Sequence, residues 1–161
     1  MHSHRFVAVA ASAIVLAACN PFHRTPAVEV SAKDGDLNSR WHATLASPAS
    51  LAGAVQMSGS ATMAPGSNDR STTVTLSLAN ASPGGVHPWQ VHRGQCGADE
   101  GVFGSSGAYR PAKVGGDGRA SESARVPMQM PTEGSYFVSV AASAANPTTT
   151  VACGNLARPT P

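Results

Sequence analysis

Imidazole side chains could give this chain a metal site. His87 and His92 lie in one short segment, and His42 lies well upstream of them. Neutral imidazole nitrogens bind copper and zinc, so these residues are the candidate metal ligands of the chain. The competing interpretation is structural. A buried histidine would hydrogen-bond to backbone or to a carboxylate, and His42 would be a solvated surface side chain.

Thioethers are the second group that could bind copper, because sulfur suits Cu(I). Met128 and Met130 have a Met-x-Met spacing, which would place both sulfurs on one face of a strand. The alternative is that both side chains are apolar fillers of a strand or loop. The acidic pair Asp99–Glu100 has no partner acid near it, and Ser105–Gly107 does not match a nucleophile elbow. No catalytic residue is predicted.

The candidate metal ligands must lie on or between short segments in which apolar and polar residues alternate, and turn residues separate these segments. The clearest strand lies within 71–80, where the apolar side chains of Val74, Leu76 and Leu78 share one face. Similar segments begin at Trp41 and continue to Leu156, with Gly and Pro between them. Two of them are expected over 53–63 and over 86–93, and in the second Gln90 and His92 share one face. About seven or eight strands and no helix are predicted. The fold class is therefore all-β, a barrel or sandwich over 40–157 with a short tail at 158–161.

Composition excludes one class of partner. The chain of 161 residues has 11 basic and 9 acidic side chains, with a net charge of +2 and no basic cluster. A nucleic-acid-binding surface is therefore not expected. Charged residues make up only 12% of the chain, against roughly 25% in typical soluble domains, so the composition indicates a small, weakly charged domain.

The N-terminus reads as a targeting segment. Phe6–Ala18 is an apolar run that is too short to span a bilayer but fits the apolar region of a signal peptide. It ends in Leu16-Ala17-Ala18-Cys19, which resembles the bacterial lipobox. The resemblance implies a signal peptide at 1–18, a lipidated Cys19 and a flexible tether over 19–39. The expected location is the bacterial cell envelope, with the membrane as a partner through the lipid. Asn20 after the cysteine favours the outer membrane or periplasmic face.

Two cysteines remain once Cys19 is assigned to a lipid. Disulfides persist outside the cytoplasm, so Cys96 and Cys153 are predicted to pair. A glycine follows each of them, which is consistent with a bridge at strand ends or turns. The alternative, a metal site, would require more soft ligands than these two cysteines supply.

Two segments together resemble copper–zinc superoxide dismutases. Gly85–Gly97 reads GVHPWQVHRGQCG, and Val151–Leu156 reads VACGNL. In that family a histidine-rich strand supplies two copper ligands, and a cysteine after it bonds to the cysteine of a terminal Ala-Cys-Gly strand. The resemblance covers about residues 40–156. It implies a Greek-key β-barrel of about eight strands and a disulfide between Cys96 and Cys153.

The metal ligands are where this chain departs from the family. Gln90 stands at the first copper-ligand position and His92 at the second. The fourth ligand, from the penultimate strand, aligns with Val140-Ala141, and the superoxide-guiding arginine aligns with Thr150. The segment 98–118, which aligns with the metal-binding loop, contains no histidine. His87 aligns with a structural histidine of the family.

A non-catalytic envelope domain with a binding or structural role is therefore the predicted function. A single aligned imidazole and an amide cannot hold a redox-active copper ion, so no cofactor is expected. The Gly- and Ser-rich loop between Cys96 and Gly118 is the first place to look for a grafted function. One alternative is an envelope copper-binding protein that uses His87 and His92, or Met128 and Met130. The second alternative is a residual superoxide dismutase.

Overall fold

The fold is an all-β unit. The computed structural model describes residues 39–159, so the predicted signal peptide, Cys19 and nearly all of the tether lie outside the described residues. The described part contains ten strands and two three-residue 3-10 turns, at Ala49–Leu51 and Ser106–Ala108. The strands, in chain order, are β1 Trp41–Ala46, β2 Ser58–Pro65, β3 Thr72–Ala79, β4 Val86–His87, β5 Trp89–Gln95, β6 Ala98–Val102, β7 Ala112–Lys113, β8 Ala120–Val126, β9 Tyr136–Ser143 and β10 Asn146–Leu156.

Eight of these strands form one antiparallel sheet that curls into a half-barrel. Their order is β6-β5-β9-β10-β1-β2-β3-β8, and β4 pairs with β7 in a separate two-stranded ribbon. Within residues 39–159 there is no helix of the length and apolar character needed to cross a membrane. The all-β prediction is confirmed.

Alternation of apolar and polar residues builds the core. In β1, Trp41, Ala43 and Leu45 are buried while the residues between them are exposed, as the sequence predicts. β3 buries Val74 and Leu76 in the same manner. These side chains belong to a single cluster of buried apolar residues that spans the strands of the sheet. His42 lies on the solvent face of β1, as expected for a surface histidine.

Prolines shift several boundaries away from the predicted ones. The segment expected to form one strand over 86–93 is divided at Pro88, because proline has no N–H to donate to a ladder. Pro127 likewise follows the last residue of β8, so Met128 and Met130 lie in a bend beyond the strand. The expectation that Met128 and Met130 share a strand face is therefore wrong.

The small-residue stretch over 53–63 is extended for only half of its predicted length. A 3-10 turn ends at Leu51, a further turn covers 52–54, and β2 begins at Ser58. Backbone hydrogen bonds from the N–H groups of Ala54 and Val55 to the Leu51 carbonyl form this compact turn. These local bonds compete with the strand that the residue pattern indicated.

The predicted disulfide is present between Cys96 and Cys153, whose Cα atoms are 6.0 Å apart. Cys96 lies in the turn between β5 and β6, whereas Cys153 lies in the middle of β10, opposite Ser139. The Cys96 N–H also donates to the side-chain oxygen of Asn155 at 2.9 Å. The β5–β6 turn is thus tied to β10 by a covalent bond and a hydrogen bond.

Close contact between β10 and β1 requires a glycine at position 154. A Cβ atom at Gly154 would collide with the carbonyl oxygen of Thr44 and lie 2.9 Å from its carbonyl carbon. We therefore expect Gly154→Ala to lower the free energy of unfolding by about 1–3 kcal/mol, the usual cost of overpacking. Urea unfolding measures this change. Gly116→Ala is the control, because a Cβ atom there meets nothing within 4 Å, and an equal loss in both variants would contradict the packing argument.

Candidate functional site

One cleft of the half-barrel gathers polar side chains from different strands. It has a volume of about 370 Å³ and is named here the His92 cleft. β5 and β9 line it with Gln90, His92 and Ser139, and the β9–β10 hairpin closes one side. The full lining consists of Pro88, Trp89, Gln90, His92, Asp99, Ser139, Ala141, Pro147, Thr148 and Thr150.

The His92 ring is held by two contacts. Its Nδ1 lies 2.9 Å from an Asp99 carboxylate oxygen, and the ring stacks on Phe137 with centroids 5.2 Å apart. A carboxylate only accepts hydrogen bonds, so Nδ1 of His92 carries the hydrogen and donates it to Asp99. The expectation that His92 is hydrogen-bonded to backbone or carboxylate is confirmed.

The Asp99 carboxylate is fixed by a glycine as well as by the histidine. The N–H of Gly101 donates to the same oxygen at 2.7 Å, and Gly101 has a φ of +102°, which favours glycine. This backbone hydrogen bond is the main reason why the pKa of Asp99 lies below its ordinary value. Slight burial opposes the shift in the pKa, and the hydrogen bond and charge of His92 add to it.

This order of causes makes a prediction for the variant His92→Gln. The pKa of Asp99 should rise in the variant but stay below its ordinary value, because the Gly101 hydrogen bond remains. A carboxyl group with a lowered folded-state pKa stabilises the fold at neutral pH, and this contribution is lost as the pH falls through that pKa. A carboxyl-carbon NMR titration measures the pKa. A return to the ordinary value in His92→Gln would contradict the dominant role of Gly101.

The remaining polar groups of the cleft are uncharged. The hydroxyls of Ser139 and Thr150 lie 3.3 Å apart, and Gln90 stands opposite Ser139 in the β5–β9 ladder. Among the residues that line the cleft, Asp99 is the only acidic one, and none is lysine or arginine. The cleft therefore offers amide, hydroxyl, imidazole and carboxylate groups without a fixed positive charge.

His87 does not share this cleft. It lines a separate cavity of about 270 Å³, and its Nδ1 donates to the carbonyl oxygen of Ala141 at 3.0 Å. Its Nε2 is buried and has no hydrogen-bond partner within residues 39–159. The ring of His87 thus links β4 to the backbone of β9.

The candidate metal ligands do not converge. His42, His87 and His92 line three different clefts. Met130 lies in a groove beside Trp41, whereas the sulfur of Met128 packs near Gly104. In the part of the chain that the structure describes, no group of three or more His, Cys, Asp or Glu side chains is arranged to hold a metal ion.

The sequence resemblance aligns three positions with copper ligands and a fourth with the guiding arginine, and these four positions lie together in one cleft. Gln90, His92, Ala141 and Thr150 all line the His92 cleft. Their side chains provide one imidazole, one amide, one hydroxyl and a methyl group. Redox cycling of copper requires three or four nitrogen or sulfur ligands, so this set of donors does not fit a superoxide dismutase copper ion.

The sequence did not reveal the role of Asp99, although its hairpin carries a signal. A turn at Cys96-Gly97 pairs Gly94 with Asp99 across β5 and β6. Gly94 and His92 are two residues apart on one strand, and although the register of the ladder shifts between them, the Asp99 carboxylate reaches Nδ1 of His92 across the hairpin. The predicted functional loop 96–118 contains β6, a 3-10 turn and β7. Among its residues, Asp99 of β6 lines the His92 cleft.

No protein-family model matches this chain, and comparison with curated proteins finds no match. The similarity to superoxide dismutases therefore rests on the residues of this chain alone.

Proposed function

We propose that the chain is a lipid-anchored domain of the bacterial cell envelope, related to copper–zinc superoxide dismutases, that binds a ligand and does not catalyse dismutation. The observation that carries this proposal is the His92 cleft. Positions aligned with the copper ligands line it together, yet His92 alone among them has an imidazole. Asp99 engages that imidazole through Nδ1.

Strand order and the disulfide support the relationship. β1, β2 and β3 are consecutive antiparallel neighbours, and β10 returns from the end of the chain to lie beside β1. A strand that returns over a long connection to lie beside the first of three consecutive strands is also a feature of Greek keys, although here six strands lie between β3 and β10 in the chain. The bond between Cys96 and Cys153 joins the two segments that carry the sequence resemblance. The disulfide expected from the family resemblance thus occurs in an all-β fold.

Metal loading tests the absence of catalysis. The purified mature protein is incubated with Cu(II), dialysed and analysed for bound copper and for dismutase activity. We expect substoichiometric copper and no activity above that of the free ion. One tightly bound copper ion that is lost in His92→Gln, or dismutase activity above the free ion, would overturn the proposal in favour of copper binding or catalysis.

The anchor is tested separately, because it depends on Cys19 rather than on the cleft. A diacylglyceryl group on Cys19 would hold the domain at a membrane without a spanning helix. Mass spectrometry of the protein expressed in bacteria should show a lipid-modified N-terminal peptide that starts at Cys19. In Cys19→Ser the lipid mass should be absent and the protein released from membranes. An unmodified Cys19 in membrane-free protein would contradict the anchor.

A further inference from the structure

The chemistry of the His92 cleft selects one class of ligand. Asp99 accepts hydrogen bonds, His92 has a second ring nitrogen, Nε2, and the hydroxyls of Ser139 and Thr150 both donate and accept. The Gln90 amide adds two donors and an acceptor. A hydroxyl group of a ligand donates one hydrogen bond and accepts others, so it can satisfy neighbouring groups of both kinds at once.

We propose that this cleft binds a neutral polyhydroxyl ligand, a sugar unit of a glycan. The inference rests on the proposed function, in which the cleft binds rather than catalyses. Pro88 and Pro147 add apolar ring faces beside the polar groups. The C–H faces of a sugar ring can pack against such surfaces while its hydroxyl groups bond to Gln90, Ser139 and Thr150.

Anionic ligands fit this cleft poorly. Phosphate and carboxylate groups are bound in proteins by arginine, lysine or clustered backbone N–H groups. The lining contains neither lysine nor arginine. The carboxylate of Asp99 would repel an anion that entered the cleft.

Cationic and apolar ligands are also disfavoured. The Asp99 side chain is 53% exposed and already accepts hydrogen bonds from His92 and Gly101, so an added ion pair would be weak. An apolar ligand would remove water from Gln90 and Ser139 without replacing the lost hydrogen bonds. The hydroxyl groups of a neutral ligand need no ion pair and can replace the hydrogen bonds that Gln90 and Ser139 make to water.

The test is an NMR titration of the mature protein with three probes. They are N,N′-diacetylchitobiose as a neutral glycan, inorganic phosphate as an anion and spermidine as a cation. We expect saturable shifts of the cleft amide signals with the disaccharide alone. Gln90→Ala and Thr150→Val should each weaken its binding about tenfold, as expected when a ligand hydrogen bond is lost. Gln56→Ala is the matched control, because Gln56 is an exposed glutamine of a different cavity.

Two outcomes would overturn this inference. Saturation by phosphate or spermidine but not by the disaccharide would reject the neutral glycan and retain a ligand-binding cleft. An absence of response to all three probes would reject it as well. Copper content and dismutase activity are measured independently of these titrations, so a failure of the proposed function would be recognised separately.

Discussion

Replacing both Cys96 and Cys153 with serine is expected to lower the free energy of unfolding by about 4 kcal/mol. The bond closes a loop with a sequence separation of 57 residues, and opening it restores chain entropy to the unfolded state. It also joins the β5–β6 turn to the middle of β10, so its loss loosens a contact between segments distant in sequence. Urea unfolding followed by circular dichroism measures the change.

The control for this experiment separates the effect of the disulfide from that of the third cysteine. Cys19→Ser removes the third cysteine and should leave the unfolding midpoint of the purified protein unchanged. Reduction of the disulfide in Cys19→Ser should reproduce the loss seen in the double serine variant. A loss below about 1 kcal/mol on reduction would show that the bond contributes far less than loop closure predicts.

Trp89→Ala is expected to cost about 3–5 kcal/mol, the range for deleting a large buried aromatic side chain. Trp89 is 2% exposed and lies in β5 immediately before Gln90. Its ring meets that of Tyr109 edge to face at 5.3 Å, and its Nε1 donates to the Arg110 carbonyl at 2.7 Å. The indole thus joins the core to the segment that follows β6. Thermal unfolding monitored by calorimetry measures the effect.

The variant Trp89→Phe separates the contribution of apolar packing from that of the hydrogen bond to Arg110. The phenyl ring keeps most of the apolar contact but cannot donate to the Arg110 carbonyl, so we expect a loss of about 1–2 kcal/mol. Equal losses in Trp89→Phe and Trp89→Ala would contradict a dominant role of packing. The comparison also matters for the His92 cleft, because Trp89 is part of its lining.

The sequence predicted those strands whose side chains alternate cleanly. Val74 and Leu76 in β3 were assigned to the buried face from periodicity alone, because one face of the sheet is solvated. Periodicity failed where local backbone bonds or proline intervened. The turn after Leu51 and the break at Pro88 depend on backbone hydrogen bonding that a pattern of apolar residues does not encode.

The candidate site was predicted in part. Alternation placed Gln90 and His92 on one face of β5, and the structure confirms this. Gln90 and His92 lie beside Ala141 and Thr150 because β5 pairs with β9 and β9 pairs with β10. These pairings are long-range, so no local pattern reveals them. Asp99 was missed for a different reason, since an acidic pair in isolation gives no indication of the imidazole across the hairpin.

The most direct test of the central claim places histidines at two positions that the sequence resemblance aligns with copper ligands. Gln90→His and Ala141→His, made together, would place two further imidazoles in the cleft beside His92. We expect this double variant to bind about one Cu(II) per chain with nitrogen ligation in its electron paramagnetic resonance spectrum, whereas the unaltered protein retains only substoichiometric copper after dialysis. Stoichiometric copper with dismutase activity in the unaltered protein, or no copper site in the double variant, would contradict the account.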